Sequence, residues 1–315
     1  MENKTKEFKH LEKWHGTLAS CIRCGYCFEH CALFKHSGWE SDTPRAKIIT
    51  AFGLLSGEIE PTEAAADKLY SCFYCKRCEA ACSSGVNLTE IFTDAKKDLM
   101  EIGLKGPGTT SLTKLSCARC LICTGACPHE ARSHDGKNIV TDPTKCQACG
   151  ICLEVCPAGA ATIEKTFGTG RDELVTKATE FLNSHKAANA IVFACNWSYF
   201  PELQASELPD SEIEDKSYEI LVNMCGGRLE AQTLMAPFLH KAWGVMTAVC
   251  PDDECQHNGN LKAKKIIQTL KQTFEKIDID PERIRMVQIP AGDKDLFQAE
   301  IDTFVDDLNK MGPIR

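Results

Sequence analysis

The sequence predicts three domains in one chain: an all-α domain, an α+β domain and a small α/β domain with a parallel sheet. A cysteine motif, C-x2-C-x2-C-x3-C, occurs four times before residue 160, and its two pairs of copies enclose inserts of different length. After residue 187, strand-like and helix-like segments alternate, which is typical of a parallel sheet. We therefore place the domains at 1–105, 106–166 and 188–315, with residues 167–187 as a linker helix.

The composition is that of a soluble globular protein with unusual cysteine content. Apolar residues make up 43% and charged residues 25% of the chain, which excludes a disordered or fibrous protein. The chain has 20 cysteines in 315 residues, and a cysteine-rich chain in a reducing cytosol commonly uses its thiols for metal or redox chemistry. It has no long apolar membrane segment, and its first 16 residues lack the apolar region of a secretory signal. We expect a cytoplasmic protein.

The negative charge lies in the last part of the chain. Residues 1–105 have 14 basic and 15 acidic residues, residues 106–166 have 6 and 5, and residues 167–315 have 16 and 24. No basic run is long enough to indicate a nucleic-acid partner. The acidic stretch at 202–219 is interpreted as a solvated loop, with a docking surface for a basic partner as the alternative.

The four motif copies predict iron–sulfur clusters. A [4Fe–4S] cubane needs four thiolates, and three cysteines at steps of three can wrap one loop around three of its corners. The fourth cysteine then ligates a neighbouring cluster, whereas zinc sites usually show two separated cysteine pairs. The sixteen cysteines of the motifs are Cys21, Cys24, Cys27 and Cys31; Cys72, Cys75, Cys78 and Cys82; Cys117, Cys120, Cys123 and Cys127; and Cys146, Cys149, Cys152 and Cys156.

The second pair of motifs resembles a two-cluster bacterial-type ferredoxin. Its copies start 29 residues apart, and the insert contains strand-forming Ile139 and Val140. Pro128 and Pro157 follow the fourth cysteines and are predicted to start helices. The resemblance covers residues 111–165 and implies crossed ligation. One cluster would take Cys117, Cys120, Cys123 and Cys156, and the other Cys146, Cys149, Cys152 and Cys127.

The first pair of motifs encloses a longer, helical insert. Its copies start 51 residues apart, and helices are predicted from the TPRAKI segment at 43–48 and over 64–70. With Cys72-Phe-Tyr-Cys-Lys-Arg-Cys-Glu, this segment resembles the heterodisulfide-reductase-C-like helical ferredoxin, which also occurs in the iron–sulfur proteins of glycolate and lactate oxidation. Ala32 and Ser83 stand where that family often has proline. Crossed ligation would join Cys21, Cys24 and Cys27 with Cys82, and Cys72, Cys75 and Cys78 with Cys31.

Four further cysteines follow predicted strands. Strands are predicted at 190–194, 218–224, 244–249 and 285–289, and helices at 229–241, 260–275 and 293–310. Three of these cysteines fall at the carboxyl ends of strands, the sheet edge where open α/β folds bind ligands, and the fourth lies in an adjoining loop. The four are Cys195, Cys225, Cys250 and Cys255. They indicate a metal or cluster site, with buried free thiols as the alternative.

The same region resembles the delta subunit of methyl-viologen-reducing hydrogenase. The similarity lies in Cys195-Asn-Trp, Cys225-Gly-Gly-Arg, Cys250-x4-Cys and Gly259-Asn. That family carries a [2Fe–2S] cluster, so the resemblance implies one here. Ser198 stands where the family commonly has a cysteine, and Pro251 and Gln256 stand where it has histidine.

Together these features predict an electron-transfer subunit of a heterodisulfide-reductase-like anaerobic redox complex, with four [4Fe–4S] clusters and one [2Fe–2S] cluster. The resemblances imply a heterodisulfide-reductase-A-like flavoprotein partner, and a hydrogenase, formate dehydrogenase or other reductase as donor or acceptor. No adjacent Cys-Cys pair, dinucleotide fingerprint or P-loop occurs, so we expect no substrate site in this chain. The alternatives are a redox-sensing iron–sulfur regulator and a reductase with an unrecognised site.

Overall fold

The computed structural model describes residues 8–104, 111–163, 170–185, 189–199 and 217–314. The chain forms two compact units, Met1–Gly168 and Thr169–Arg315. Most of the acidic stretch predicted at 202–219 lies outside the described residues. None of the helices in the described part of the chain is long and apolar enough to span a membrane.

The first part of unit 1 is built from helices joined by the cysteine loops. Two threonines begin its central helices: Thr43 Oγ1 accepts a hydrogen bond from the Ala46 amide at 3.1 Å, and Thr62 Oγ1 accepts one from the Ala65 amide at 3.2 Å. The structure assigns no strand in the described residues 8–104. The helices are α1 Lys9–Glu12, α2 His15–Ser20, α3 Tyr26–Glu29, α4 Ala32–Ser37, α5 Pro44–Ser56, α6 Glu63–Tyr70, α7 Arg77–Ala80 and α8 Leu88–Glu101, with a 3₁₀ turn at Glu40–Asp42.

Helix α8 organises the core of this part. Its buried Ile91, Phe92 and Leu99 pack in one cluster with side chains of α5 and α6 such as Leu54 and Leu69. Several cysteines of the first two motifs border the same cluster. The loops that present these cysteines are therefore supported by a rigid apolar base.

Asp94 ties the N-terminal segment to α8. Its buried carboxylate accepts a hydrogen bond from Trp14 Nε1 at 2.8 Å and pairs with Lys13 and Lys97, each at 2.8 Å. Burial alone would raise the pKa of Asp94, but the hydrogen bonds from these three partners outweigh it and lower that pKa.

We expect Asp94→Ala to lower the free energy of unfolding by about 1–3 kcal/mol, because the Trp14 donor is left without its acceptor. The measurement is the urea midpoint of the helical circular dichroism signal of the anaerobic protein. Glu90→Ala, an exposed position on the same helix, is the matched control. Equal midpoints for the two variants would contradict the assigned role.

The second part of unit 1 adds short strands. Strands β2 Arg132–His134 and β3 Ile139–Thr141 form an antiparallel hairpin, which confirms the strand predicted at Ile139 and Val140. Strands β1 Leu112–Thr113 and β4 Ala161–Thr162 pair antiparallel at the two ends of this segment. Helices α9 Ile122–Gly125 and α10 Ile151–Glu154 lie in the cysteine loops.

Unit 2 contains a four-stranded, fully parallel sheet in the order β6-β5-β7-β8. This confirms the predicted α/β class, and the four predicted strands are each present within one residue at either end. The strands are β5 Ala190–Cys195, β6 Tyr218–Asn223, β7 Gly244–Val249 and β8 Ile284–Gln288. The helices are α11 Arg171–Ser184, α12 Ala231–Leu239, α13 Gly259–Lys276 and α14 Lys294–Met311, with 3₁₀ turns at Gly226–Arg228 and Pro281–Arg283.

Helices cover both faces of this sheet. Ile191 and Phe193 of β5 pack with side chains of α11, α12 and α13, whereas Val192 packs with α14 through Phe297 and Phe304. Helix α11 corresponds to the segment expected as a linker. It buries Leu174, Ala178 and Phe181 in the first of these layers and is therefore an integral part of the α/β unit.

Candidate iron–sulfur centres

Unit 1 contains four small cavities, and each is lined by four cysteines. In every case three cysteines come from one motif and the fourth is the last cysteine of the paired motif, the grouping that the ferredoxin resemblances imply. The sets are Cys21, Cys24, Cys27 and Cys82; Cys72, Cys75, Cys78 and Cys31; Cys117, Cys120, Cys123 and Cys156; and Cys146, Cys149, Cys152 and Cys127.

The same backbone turn recurs in all four motifs. The residues immediately before and after the second cysteine have positive φ, so each loop curls around its cavity. These residues are Arg23 and Gly25, Tyr74 and Lys76, Arg119 and Leu121, and Ala148 and Gly150. Left-handed backbone costs a non-glycine residue roughly 1–2 kcal/mol, and such strain persists where a functional site needs the geometry.

Two further regularities follow from this turn. The third cysteine of each motif is the second residue of a short helix, α3, α7, α9 or α10. In three motifs the Sγ of the fourth cysteine accepts an amide hydrogen bond from the residue four positions later, at 3.2–3.4 Å. The local sequence thus repeats the setting of the third cysteine in all four motifs and that of the fourth cysteine in three of them.

The prolines after the fourth cysteines form turns, so the predicted helix starts there are wrong. Glu130 N–H donates to the Cys127 carbonyl at 3.3 Å, and Gly159 N–H donates to the Cys156 carbonyl at 3.1 Å. Each proline therefore occupies the second position of a β-turn, where its restricted φ is favourable. Ser83 occupies the same position in a turn closed by Gly85 N–H and the Cys82 carbonyl at 3.1 Å.

The four cysteine sets differ in burial. Cys24 and Cys120 are exposed, whereas Cys78, Cys123, Cys146, Cys149 and Cys152 are buried. Burial raises the pKa of Cys75 and of Cys149 to about 12. A metal that binds these thiols must therefore displace their protons, as in other thiolate sites. The sets built on Cys72 and Cys146 are the interior pair of the four.

Buried cations surround the interior cysteine sets, and no sequence pattern had indicated them. Lys47 and Lys96 are each 2% exposed and Arg77 is 3% exposed. Burial lowers the pKa of Lys96 to about 8, although the Cys72 and Cys146 thiols act to raise it. Cationic side chains beside thiolate sulfur offset the negative charge of a metal–thiolate centre. The position of Lys47 in the TPRAKI segment, which carries the family resemblance, is the one feature of the sequence that could have drawn attention to it.

The set built on Cys146 has a hydrogen-bonded neighbourhood of its own. Ser111 Oγ lies 3.1 Å from Cys152 Sγ, and Arg132 Nη1 lies 3.9 Å from the same sulfur. Arg132 also donates to Thr113 Oγ1 at 2.6 Å, which orients the guanidinium. Hydrogen bonds to sulfur of this kind tune cluster potentials.

The four cysteines of unit 2 lie at one edge of the sheet. Cys195 ends β5 and Cys250 directly follows β7, the neighbouring strand. The strand order reverses between these two strands, so they flank the switch point where open α/β sheets bind ligands. Cys225 follows β6 and begins the 3₁₀ turn, and Cys255 lies in the loop before α13.

Three of these thiols interact with one another. Interaction with the Cys250 thiol lowers the pKa of Cys195 to about 7 and that of Cys255 to about 6. The same interactions, first of all the one with Cys195, raise the pKa of Cys250. Backbone amides of Trp197 and Gly226 also donate to Cys195. Sulfur atoms that are stabilised as thiolates in this way are suited to metal ligation.

Cys225 is held against two glycines. The Gly227 amide donates to Cys225 Sγ at 3.4 Å. A β-carbon at Gly259 would lie 2.4 Å from Cys225 Sγ and 2.6 Å from the Gly227 nitrogen. Glycine is therefore required at 259 so that α13 can begin directly against this sulfur.

The positions that depart from the hydrogenase pattern also lie near this edge. Ser198 is buried, and Gln256 Nε2 donates to the Glu254 carbonyl at 2.9 Å. The Trp197 indole donates to the Glu254 carboxylate. These contacts brace the loops that carry Cys195 and Cys255.

Three segments of the chain match known families. Residues 190–312 match the family described as the methyl-viologen-reducing hydrogenase, delta subunit. Residues 17–86 match a 4Fe–4S dicluster domain, and residues 139–162 match a 4Fe–4S binding domain. The folds and cysteine sets define the chain as an iron–sulfur electron-transfer subunit.

One relative is similar to the last domain of this chain over almost its whole length. The iron–sulfur D component of an F420-non-reducing hydrogenase from Archaeoglobus profundus is 30% identical over 133 residues, covering 40% of this chain and 93% of that protein. The chain belongs to this hydrogenase delta-subunit family through its last domain.

The remaining resemblances are also confirmed. The A component of a CoB-CoM heterodisulfide reductase from Methanosarcina acetivorans is 29% identical over 55% of this chain. A probable glycolate oxidase iron–sulfur subunit from Bacillus subtilis is 34% identical over 30% of the chain. This chain spans 25% of the length of the first of these relatives and 22% of the second.

Proposed function

We propose that the chain holds four [4Fe–4S] clusters and one [2Fe–2S] cluster and relays electrons in a heterodisulfide-reductase-like anaerobic complex in the cytoplasm. The observation that carries the proposal is the set of four cavities, each lined by four cysteines from paired motifs. The domains proposed are a helical ferredoxin, a bacterial-type ferredoxin and a hydrogenase delta-type domain, the last of which includes helix α11. When bound, the clusters supply one-electron chemistry over a wide range of potentials.

The ligand assignment follows the geometry and the resemblances. Each cavity in unit 1 offers four sulfurs and a loop curled by left-handed residues, which suits a cubane with four thiolates. The edge of the sheet in unit 2 offers Cys195, Cys225, Cys250 and Cys255, a ligand number that suits a binuclear centre. Four protein thiolates would leave that centre without an open coordination position. Electron transfer without substrate binding is therefore the chemistry proposed for it.

Accessible ends are needed for a relay, and unit 1 has two. Around the exposed Cys24, Ile22 and Tyr26 are 69% and 60% exposed. Beside the exposed Cys120, Leu121 and Ile122 are about half exposed. Apolar surface beside an exposed ligand allows a partner to approach closely. We assign these surfaces to redox partners.

The partners are proposed from the family resemblances of the sequence and from charge. A heterodisulfide-reductase-A-like flavoprotein is the first, and a hydrogenase, formate dehydrogenase or another reductase is the second. Residues 167–315 have 16 basic and 24 acidic residues, and this negative field would orient a basic docking surface.

Cluster content tests the proposal directly. We expect about 18 iron and about 18 sulfide per chain in anaerobically prepared protein, from four cubanes and one binuclear centre. The measurement is iron and acid-labile sulfide analysis together with zinc analysis of the same sample. Tightly bound zinc with only about eight iron per chain would contradict the assignment.

A further inference from the structure

Lys96 occupies an unusual position for a lysine. Its side chain is 2% exposed on α8, although lysine is almost never fully buried without a partner. The ammonium lies over the rings of Tyr74 and Tyr70, at 4.5 and 5.2 Å from their centroids. Tyr70 Oη also donates to the Lys96 carbonyl at 3.2 Å. The ammonium is thus fixed by two aromatic faces.

The charges that act on Lys96 come from both ferredoxin modules. Among the described residues they are the Cys72 thiol, the Cys146 thiol and the ammonium of Lys47. Cys72 belongs to the second motif and Cys146 to the fourth, so the two sulfurs line different cavities. Tyr74, which lies under the same ammonium, also interacts electrostatically with Cys72 and Cys146.

A buried ammonium needs a nearby negative charge. Leaving one unpaired in a low-dielectric interior costs several kcal/mol or more. In the described part of the chain no carboxylate is among the groups acting on Lys96, and the groups of acidic character that act on it are the two thiols. Thiolate-ligated iron–sulfur centres are negatively charged and would supply the missing counter-charge from both sides.

We propose that Lys96 is a cation shared by the two interior iron–sulfur centres, those of the Cys72 and Cys146 sets, and that this pair is the junction through which the two ferredoxin modules exchange electrons. This inference rests on the proposed function. Among the four centres of unit 1, it places the more exposed Cys21 and Cys117 sets at the outer positions.

Electron transfer across this junction is not coupled to any other chemical step. One centre is oxidised by one electron and the other is reduced by one, with no bond made or broken and no proton transferred. The fixed ammonium stabilises the added negative charge whichever of the two centres holds the electron. The electrostatic energy of the pair therefore changes little during the transfer. Lys96 acts in this scheme only through its charge and takes part in no step that makes or breaks a bond.

Lys47 offers a matched comparison. It is equally buried, and the thiols that act on it are Cys72 and Cys31. Both line a single cavity. Lys97, next to Lys96, is 40% exposed and pairs with Asp94. We therefore expect Lys96 to influence the potentials of two cubane centres, Lys47 that of one, and Lys97 that of none.

The test is a redox titration followed by electron paramagnetic resonance on the full-length, anaerobically reconstituted protein. In Lys96→Met we expect two cubane midpoint potentials to shift to more negative values, because a stabilising cation has been removed. Lys47→Met should shift one, and Lys97→Met none. Lys96→Arg should restore both midpoints towards wild type. A purely structural role for Lys96 would not produce this graded pattern.

Iron content separates the outcomes. If Lys96→Met does not retain the wild-type iron, Lys96→Gln supplies the same measurement with a polar side chain. With full iron in the neutral variant, a shift of one midpoint or none would overturn the junction and leave the cluster assignment intact. A wild-type protein without four cubane signals would overturn both the proposed function and the junction.

Discussion

Cys156→Ala should destroy the cluster that is built on the distant third motif and should spare the one built on its own motif. Cys156 lines the cavity of Cys117, Cys120 and Cys123, whereas its neighbour Cys152 lines another cavity. Removing one of four thiolates leaves an iron without its protein ligand, so we expect loss of one cubane signal and of up to about four iron per chain.

Double variants identify which cluster is lost. Cys156→Ala with Cys120→Ala should lose no more clusters than either single variant, because both cysteines serve one cluster. Cys156→Ala with Cys149→Ala should lose two. Effects on one site are non-additive and effects on separate sites add, which makes iron content a direct readout of ligand grouping. The opposite pattern, with Cys149 as the non-additive partner, would show ligation within each motif.

Gly259→Ala should remove the binuclear centre from the last domain while the four cubanes remain. The added methyl carbon would lie 2.4 Å from Cys225 Sγ and 2.6 Å from the backbone nitrogen of Gly227. Because the second contact is with backbone, rotation of a side chain cannot relieve it. Either Cys225 or the start of α13 must move, and the four-sulfur geometry is lost.

The measurement is iron content, expected to fall by about two per chain, together with the optical and resonance signals of a [2Fe–2S] centre. Gly170→Ala is the matched control in the same unit, since a β-carbon there meets nothing within 4 Å. Retention of a full binuclear signal in Gly259→Ala would show that Cys225 is not needed as a ligand.

Much of the chain's organisation is determined by local sequence alone. The spacing of each cysteine motif is covalent, and each copy forms the same left-handed turn and short helix. The buried strands of unit 2 were predictable because parallel strands covered on both faces are continuous apolar runs bounded by loops, such as Ala190–Cys195. Cysteines at the ends of such strands must converge on one edge, so the candidate site of unit 2 was predictable as well.

Other predictions failed or were incomplete because local signals have more than one outcome. Pro128 and Pro157 fit the first turn of a helix and the second position of a β-turn equally well, and hydrogen bonds to the preceding cysteine carbonyls select the turn. Helix α11 has the pattern of an independent linker helix. Its assignment to the α/β unit depends on the apolar surface that the sheet offers to Leu174 and Phe181.

The cysteine loops and the strand-end cysteines were predictable from the sequence, because both depend on spacing and periodicity within short segments. The burial of Lys47, Lys96 and Arg77 beside the interior cysteine sets depends instead on tertiary packing. A lysine on a helix has the same local sequence signature whether it faces solvent or the interior. Which face is covered depends on packing between segments that are distant in the chain, as with α8 and helices α5 and α6.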